Sequence, residues 1–107
     1  MDELLAKAFD FSIRIIELAG YLEEERRQFP LTTRLVDCAE GICVCLRVSH
    51  YLPKNAHEQC VQACKLALEV ECLLELIVKT GLMTKIQSGP ILADCRFLKD
   101  EIKRQIS

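Results

Sequence analysis

Near the start of the chain, polar residues at Glu3, Lys7, Asp10, Arg14, Glu17 and Glu24 recur at spacings of three, four and seven. Such spacing traces one solvated stripe along a helix, here expected from Asp2 to about Gln28. Glu3 with Lys7, and Asp10 with Arg14, are acid-before-base pairs one turn apart, each worth about 0.2–0.5 kcal/mol to the helix. Almost everything else up to Leu22 is apolar. Leu4, Phe11, Ile15, Leu18 and Leu22 line one side, and Leu5, Phe9, Ile16 and Ala19 line another. Two apolar flanks exceed what a lone amphipathic helix needs, so the surplus is expected to be covered.

The charged run "EEERRQFP" closes this helix, and Pro30 suits the first turn of the next. From Leu31, apolar residues alternate by four and three through Leu35, Cys38, Ile42 and Cys45, with Val36, Ala39, Cys43 and Leu46 as a second row. Thr33, Asp37, Glu40 and Arg47 remain as the polar face. "YLPKN" ends the pattern, because Pro53 removes a donor and disfavours helix at Leu52. Asn55 is placed to cap a third helix. There Ala56, Cys60, Ala63, Ala67, Val70, Leu74 and Ile77 alternate without a break as far as "KTG", and Gly81 suits the left-handed position after a helix. Thr84 offers a further start, but "SGP" at 88–90 reads as an interruption. The expectation is a short turn, then a helix from Pro90 to about Ile106 with Ile91, Ala93, Cys95, Leu98 and Ile102 inward. No stretch reads as strand. Short connections favour antiparallel neighbours, so the predicted fold is all-α, an antiparallel up-down-up-down four-helix bundle forming a single domain over residues 1–107.

The stretch "CAEGICVCLR" puts small side chains in the middle of the second helix. Side-chain volume sets how closely two helix axes approach, within about 8–10 Å. A helical glycine costs about 1 kcal/mol relative to alanine, so Gly41 is expected to have a packing reason. Cys38, Ala39, Gly41, Ile42, Cys43 and Cys45 on helix two, with Cys60, Ala63 and Ala67 on helix three, are therefore candidates for helix packing or a subunit interface. The small residues spread around helix two, which predicts close partners on more than one side and so a further subunit.

Composition narrows the function. Fourteen basic and sixteen acidic residues leave a net charge of −2, which gives no general attraction to nucleic acid or anionic lipid. No run of about 18 apolar residues exists to cross a membrane. Seven cysteines are an odd number, and "MDELLAKAFDFSIRII" is charged too early for a signal peptide. Free thiols in a reducing cytoplasm, behaving as small buried hydrophobes, are the expectation.

Candidate chemistry is sparse. Cys43 and Cys45 lie about 200° apart around a helix and cannot chelate one ion together. Cys60 and Cys64 share a face but lack converging partners, and His50 and His57 flank the Pro53 loop. Inward-facing Glu with E-x-x-H, the carboxylate pattern of di-iron bundles, is absent, as is a Gly-rich phosphate loop. The expectation is a non-enzymatic chain with no metal and no cofactor. Arg26, Arg27, Arg34 and Arg47, with Lys99, Lys103 and Arg104 near the end, are weak candidates for contacting nucleic acid. Glu23 to Glu25 sit beside the first of them, and no aromatic stacking platform accompanies them.

The stretches "KAFDFSIRIIELAGYL", "LTTRLVDCAEGICVCLR" and "ACKLALEVECLLELIVKTGL", with the closing amphipathic helix, resemble the bacterial four helix bundle protein family. That family is typified by the protein encoded in intervening sequences of large-subunit ribosomal RNA genes. The second stretch is similar to its helix-two motif of small residues around an isoleucine, here Ile42. Cys45 and Val48 stand where the motif carries Asn and Glu. The resemblance implies a ring-like homopentamer, with the surplus apolar surface of helices one and two buried between subunits. It also implies an alternative, since a related branch serves as an RNA-binding accessory subunit to the reverse transcriptase of diversity-generating retroelements. The leading expectation is a self-assembling scaffold or adaptor.

Overall fold

The polar stripe and the apolar rows fold as helices. The structure, a computed structural model, describes residues 2–26 and 30–106, and the side chains of 3–24 and 31–106. Among the described residues four helices follow one another: α1 Asp2–Arg26, α2 Pro30–Tyr51, α3 Ala56–Lys79 and α4 Lys85–Ile106, with a 3-10 turn at Pro53–Asn55. There is no strand among the described residues. Consecutive helices pack side by side and α4 returns to α1, while the backbones of the diagonal pairs stay apart. This is an up-down-up-down four-helix bundle, a rod of 43 × 22 × 19 Å.

In α1, Leu4, Phe11, Ile15 and Leu22 are buried and the polar stripe is exposed throughout. The second apolar row divides. Ala19 is buried and Leu5 half-buried, but Phe9 and Ile16 are exposed. The neighbouring α2 covers α1 at Ser12, and among the described residues no further element packs beyond it. In α2 both rows are inward, with Leu35, Cys38, Ala39, Ile42, Cys43, Cys45 and Leu46 buried.

The α2–α3 corner is closed by backbone alone. Leu52 N–H donates to Val48 at 2.7 Å and Asn55 N–H to Leu52 at 2.9 Å. Asn55 stands at the helix boundary but makes no side-chain cap, a correction to the sequence reading. The 3-10 turn already supplies an acceptor, the Pro53 carbonyl, to the Ala56 N–H. At the far end of α3, Gly81 has φ +81°. Its N–H donates to Val78 at 3.0 Å and the Leu82 N–H to Ile77 at 3.1 Å, a paired closure that needs the left-handed residue between them.

The start of α4 also departs from the expectation. The helix begins at Lys85 and continues through Pro90. Thr84 and Gln87 form a reciprocal capping box, Gln87 N–H to Thr84 Oγ1 at 3.0 Å and Thr84 N–H to Gln87 Oε1 at 2.9 Å. Two orphan donors are satisfied there, which holds the first turn. Pro90 then costs one bond, to the carbonyl of Ile86, a residue 89% exposed and so open to solvent. Ser88 is buried. Of the expected inward positions, Ile91, Cys95, Leu98 and Ile102 are buried, but Ala93 is exposed and Leu92 is buried in its stead.

Candidate assembly surface

The small residues of α2 face two neighbours of the same chain. Toward α1, Ser12 Oγ donates to the Ala39 carbonyl at 3.1 Å and lies 3.0 Å from Cys43 Sγ. Toward α3, Ser49 Oγ lies 3.5 Å from Cys60 Sγ. A Cβ placed on Gly41 would come within 2.7 Å of Leu66 Cδ1, so the glycine admits that leucine against the α2 backbone. Cys38, Ala39, Ile42, Cys43, Cys45, Cys60, Ala63 and Ala67 are buried and Gly41 is half-buried. The small residues spread around α2 therefore do not by themselves call for a third partner. Two intramolecular seams use them.

All seven thiols are free. Cys38, Cys43, Cys45, Cys60 and Cys95 are buried, Cys64 is half-buried and Cys72 exposed. Burial pushes the Cys38 thiol up to about 11, with the Glu69 carboxylate adding to the shift. Burial likewise pushes Cys95 up to about 12, with Glu71 contributing. Cys43 and Cys45 are raised for the same first reason. A thiol held neutral is a weak nucleophile and a poor metal ligand. Among the described residues, no group of three or more His, Cys, Asp and Glu side chains could hold a metal ion.

The described basic candidates lie on α2 and α4, with Lys99 and Lys103 sharing the groove between α3 and α4. Arg34 on α2 makes a two-pronged pair with Glu69 on α3. That hydrogen bond raises the Arg34 pKa and lowers that of Glu69. Lys99 bonds Glu71 at 3.1 Å, and Arg96 bonds the other oxygen of Glu71 at 2.7 Å. Arg96 is the first cause of the lowered Glu71 pKa. Arg104 pairs with Glu101 at 3.0 Å. Arg47 lies over the Phe9 ring, 4.9 Å from its centroid, and Lys103 lies on the groove between α3 and α4. Arg27 is outside the described residues, as is the side chain of Arg26. The expected pairing of Arg14 with Asp10 gives way to one with Asp94 across the α1–α4 seam.

The bundle also leaves apolar side chains uncovered. On the outer side of α1 and α2, Ile13, Ile16 and Val44 are each more than half exposed, Phe9 is 39% exposed, and Val36 is half-buried. Phe9, Ile13 and Ile16 follow a four-three spacing, one face of α1. Ile13 and Val44 were missing from the rows read in the sequence. The signal for Ile13 was present, since it completes the Phe9–Ile16 row. Val44 stands alone among small residues and carries no periodic signal. No helix is long and apolar enough among the described residues to cross a membrane.

No family model matches the chain, and no curated protein matches it. Among solved structures, the chain is similar to the crystal structure of a protein of unknown function from the S23 ribosomal protein family of Bacteroides thetaiotaomicron. The two share 24% identity over 97% of this chain and 98% of that one, with a TM-score of 0.91. At that identity the likeness shows the fold, an all-helical bundle.

Proposed function

We propose that the chain is a non-enzymatic helical bundle that assembles with copies of itself, as a scaffold or adaptor in a reducing cytoplasm. The carrying observation is the apolar surface on α1 and α2, with Ile13, Ile16 and Val44 at 53%, 54% and 53% exposure. Exposed apolar side chains on neighbouring helices suit an interaction site, and a second copy is the partner always at hand. The family resemblance points to five copies in a ring. It also supplies the alternative of an RNA-binding accessory subunit. Arg34, Lys99 and Arg104 each engage a carboxylate of their own chain, which favours the scaffold reading.

The test is a mass in solution. Light scattering across micromolar concentrations is expected to give a multiple of the 12.2 kDa chain, a mass unchanged by ribonuclease treatment. A monomer throughout sinks the assembly reading, and an assembly that dissolves on removal of RNA favours the accessory one.

A further inference from the structure

The seams of the bundle differ in what they offer to another molecule. Between α2 and α3 the helices close on each other where Leu66 lies against Gly41. The opening between α1 and α2 is bordered by the acids Glu23 and Asp37. The groove between α1 and α4 sets Lys7 and Arg14 against Asp10 and Asp94, a balance of charge. Phe97 and Asp94 already engage those two cations.

The seam between α3 and α4, across the rod from α1–α2, is apolar and basic. Near one end a groove of about 460 Å³ is floored by Val61, Cys64, Leu68 and Ile106, with Leu68 49% exposed. Lys65, Lys99 and Lys103 rim it, against Asp100 as the one acid in the lining. Near the other end a second groove, of about 390 Å³, has Val78 and Leu92 in its floor. Lys79, Lys85 and Arg96 rim that one, against Glu75. Between the two, Arg96 and Lys99 reach across the seam to Glu71. The two linings with Glu71 thus carry six cations and three carboxylates.

We infer that this α3–α4 face docks an acidic amphipathic helix of another protein, its apolar side in the two grooves and its carboxylates against the basic rims. The inference gives the adaptor reading above a client and rests on that reading, though not on assembly. A helix suits the seam better than a strand, because both walls are helices whose backbone groups are already paired and offer no sheet edge. From Val61 to Lys79 the seam runs about 27 Å, the length of about 18 helical residues. A nucleic acid would meet the cations but not the floor, whose lining holds no aromatic ring to stack a base.

The probe is a synthetic peptide of about 18 residues, with leucines at helical spacing on one face and glutamates on the other. Its controls are the same residues in shuffled order, the same pattern with lysines for glutamates, and an oligouridine RNA. Fluorescence anisotropy with the full chain should show the acidic amphipathic peptide binding at least about tenfold tighter than any control, and more weakly as salt rises. Lys65→Glu with Lys103→Glu, and separately Leu68→Gln, should each weaken binding about tenfold. Circular dichroism and solution mass should stay as in the wild type. Absence of binding, equal binding of the shuffled peptide, or undiminished binding by either folded variant overturns the inference. So does tighter binding of the RNA, which would make the face a nucleic-acid surface. A changed solution mass in the lysine variant overturns it too, by giving the face to a second copy. Should one variant lose its helicity, the other decides. A wild type that is monomeric yet binds the peptide as expected would sink assembly alone and leave this inference standing.

Discussion

The α2–α3 and α1–α4 seams join the same kind of helix by different means. Between α2 and α3 the chain uses Gly41, Cys45 and Cys60, side chains short enough for Leu66 to lie against the α2 backbone. Between α1 and α4 it uses reach. Arg14 extends to Asp94, the Lys7 ammonium sits 4.5 Å from the centre of the Phe97 ring, and a groove of about 260 Å³ opens along the line. Around Gly41 the first seam is buried and set by volume, with Arg34 and Glu69 pairing along its exposed edge; the second is held along a half-exposed edge by charge, with Arg14 and Asp94 side chains at 45% and 46%. Volume errors are hard to absorb in a close-packed interior, whereas charges at a surface are readily replaced by water. The two seams should therefore respond very differently to substitution.

The largest effect is expected at the close seam. Gly41→Leu forces a branched side chain into the space of Leu66 and should destabilise by about 1–3 kcal/mol in urea titration. Glu40→Leu, one residue away on the exposed face, should stay within about 0.5 kcal/mol of wild type. Gly41→Ala sharpens the comparison. Its Cβ meets only the far end of the Leu66 side chain, which can swing, and alanine gains about 1 kcal/mol of helix propensity. It should match or exceed wild-type stability. Equal midpoints for Gly41→Leu and Glu40→Leu would mean that the α2–α3 approach is not set by volume.

A smaller effect follows from the buried thiols. Folding raises Cys38 and Cys95 from the ordinary value of 9.0 to about 11 and about 12. In that interval the unfolded chain has lost thiol protons that the folded chain still holds, so stability falls as pH rises. The contribution is complete below about pH 8 and is lost progressively between about 9 and 12. Thermal midpoints should thus be flat from neutral pH to 8 and then decline, with a shallower decline for Cys95→Ala. In native labelling at pH 8, Cys72 should react first and the five buried thiols only on unfolding. A midpoint independent of pH up to 11 would show that these thiols ionise alike in both states.

The smallest effect belongs to the loose seam. Arg14→Ala removes the pair with Asp94 from a half-exposed position and should cost less than about 1 kcal/mol, with the loss shrinking further in high salt. A loss as large as that of Gly41→Leu would erase the distinction between the seams.

Legibility in the sequence followed the same division. Rows such as Leu35–Cys38–Ile42–Cys45 and Cys60–Ala63–Ala67–Val70 were readable because burial on a helix must repeat with the helical period. Gly81 was readable because a left-handed residue after a helix strongly favours glycine. The start of α4 was misread because Pro90 is a conspicuous breaker, while the Thr84–Gln87 box that outweighs it is a quiet pair of polar residues. Ala93 was misplaced because assigning the helix start to Pro90 drew the inward face from too short a pattern.

The chain by itself determined how many helices form, roughly where they end and which rows turn inward, because those depend on local periodicity and on backbone chemistry at Pro53 and Gly81. Only the tertiary structure decided the partners. Arg14 takes Asp94 over the nearer Asp10, and Arg34 takes Glu69, because the packed helices bring those carboxylates within reach and fix their geometry. It also decided which apolar residues remain outside. Phe9 and Ile16 occupy an apolar row as regular as that of Leu4 and Ile15, yet they are exposed because a four-helix ring gives α1 two neighbours and α1 carries apolar surface beyond both.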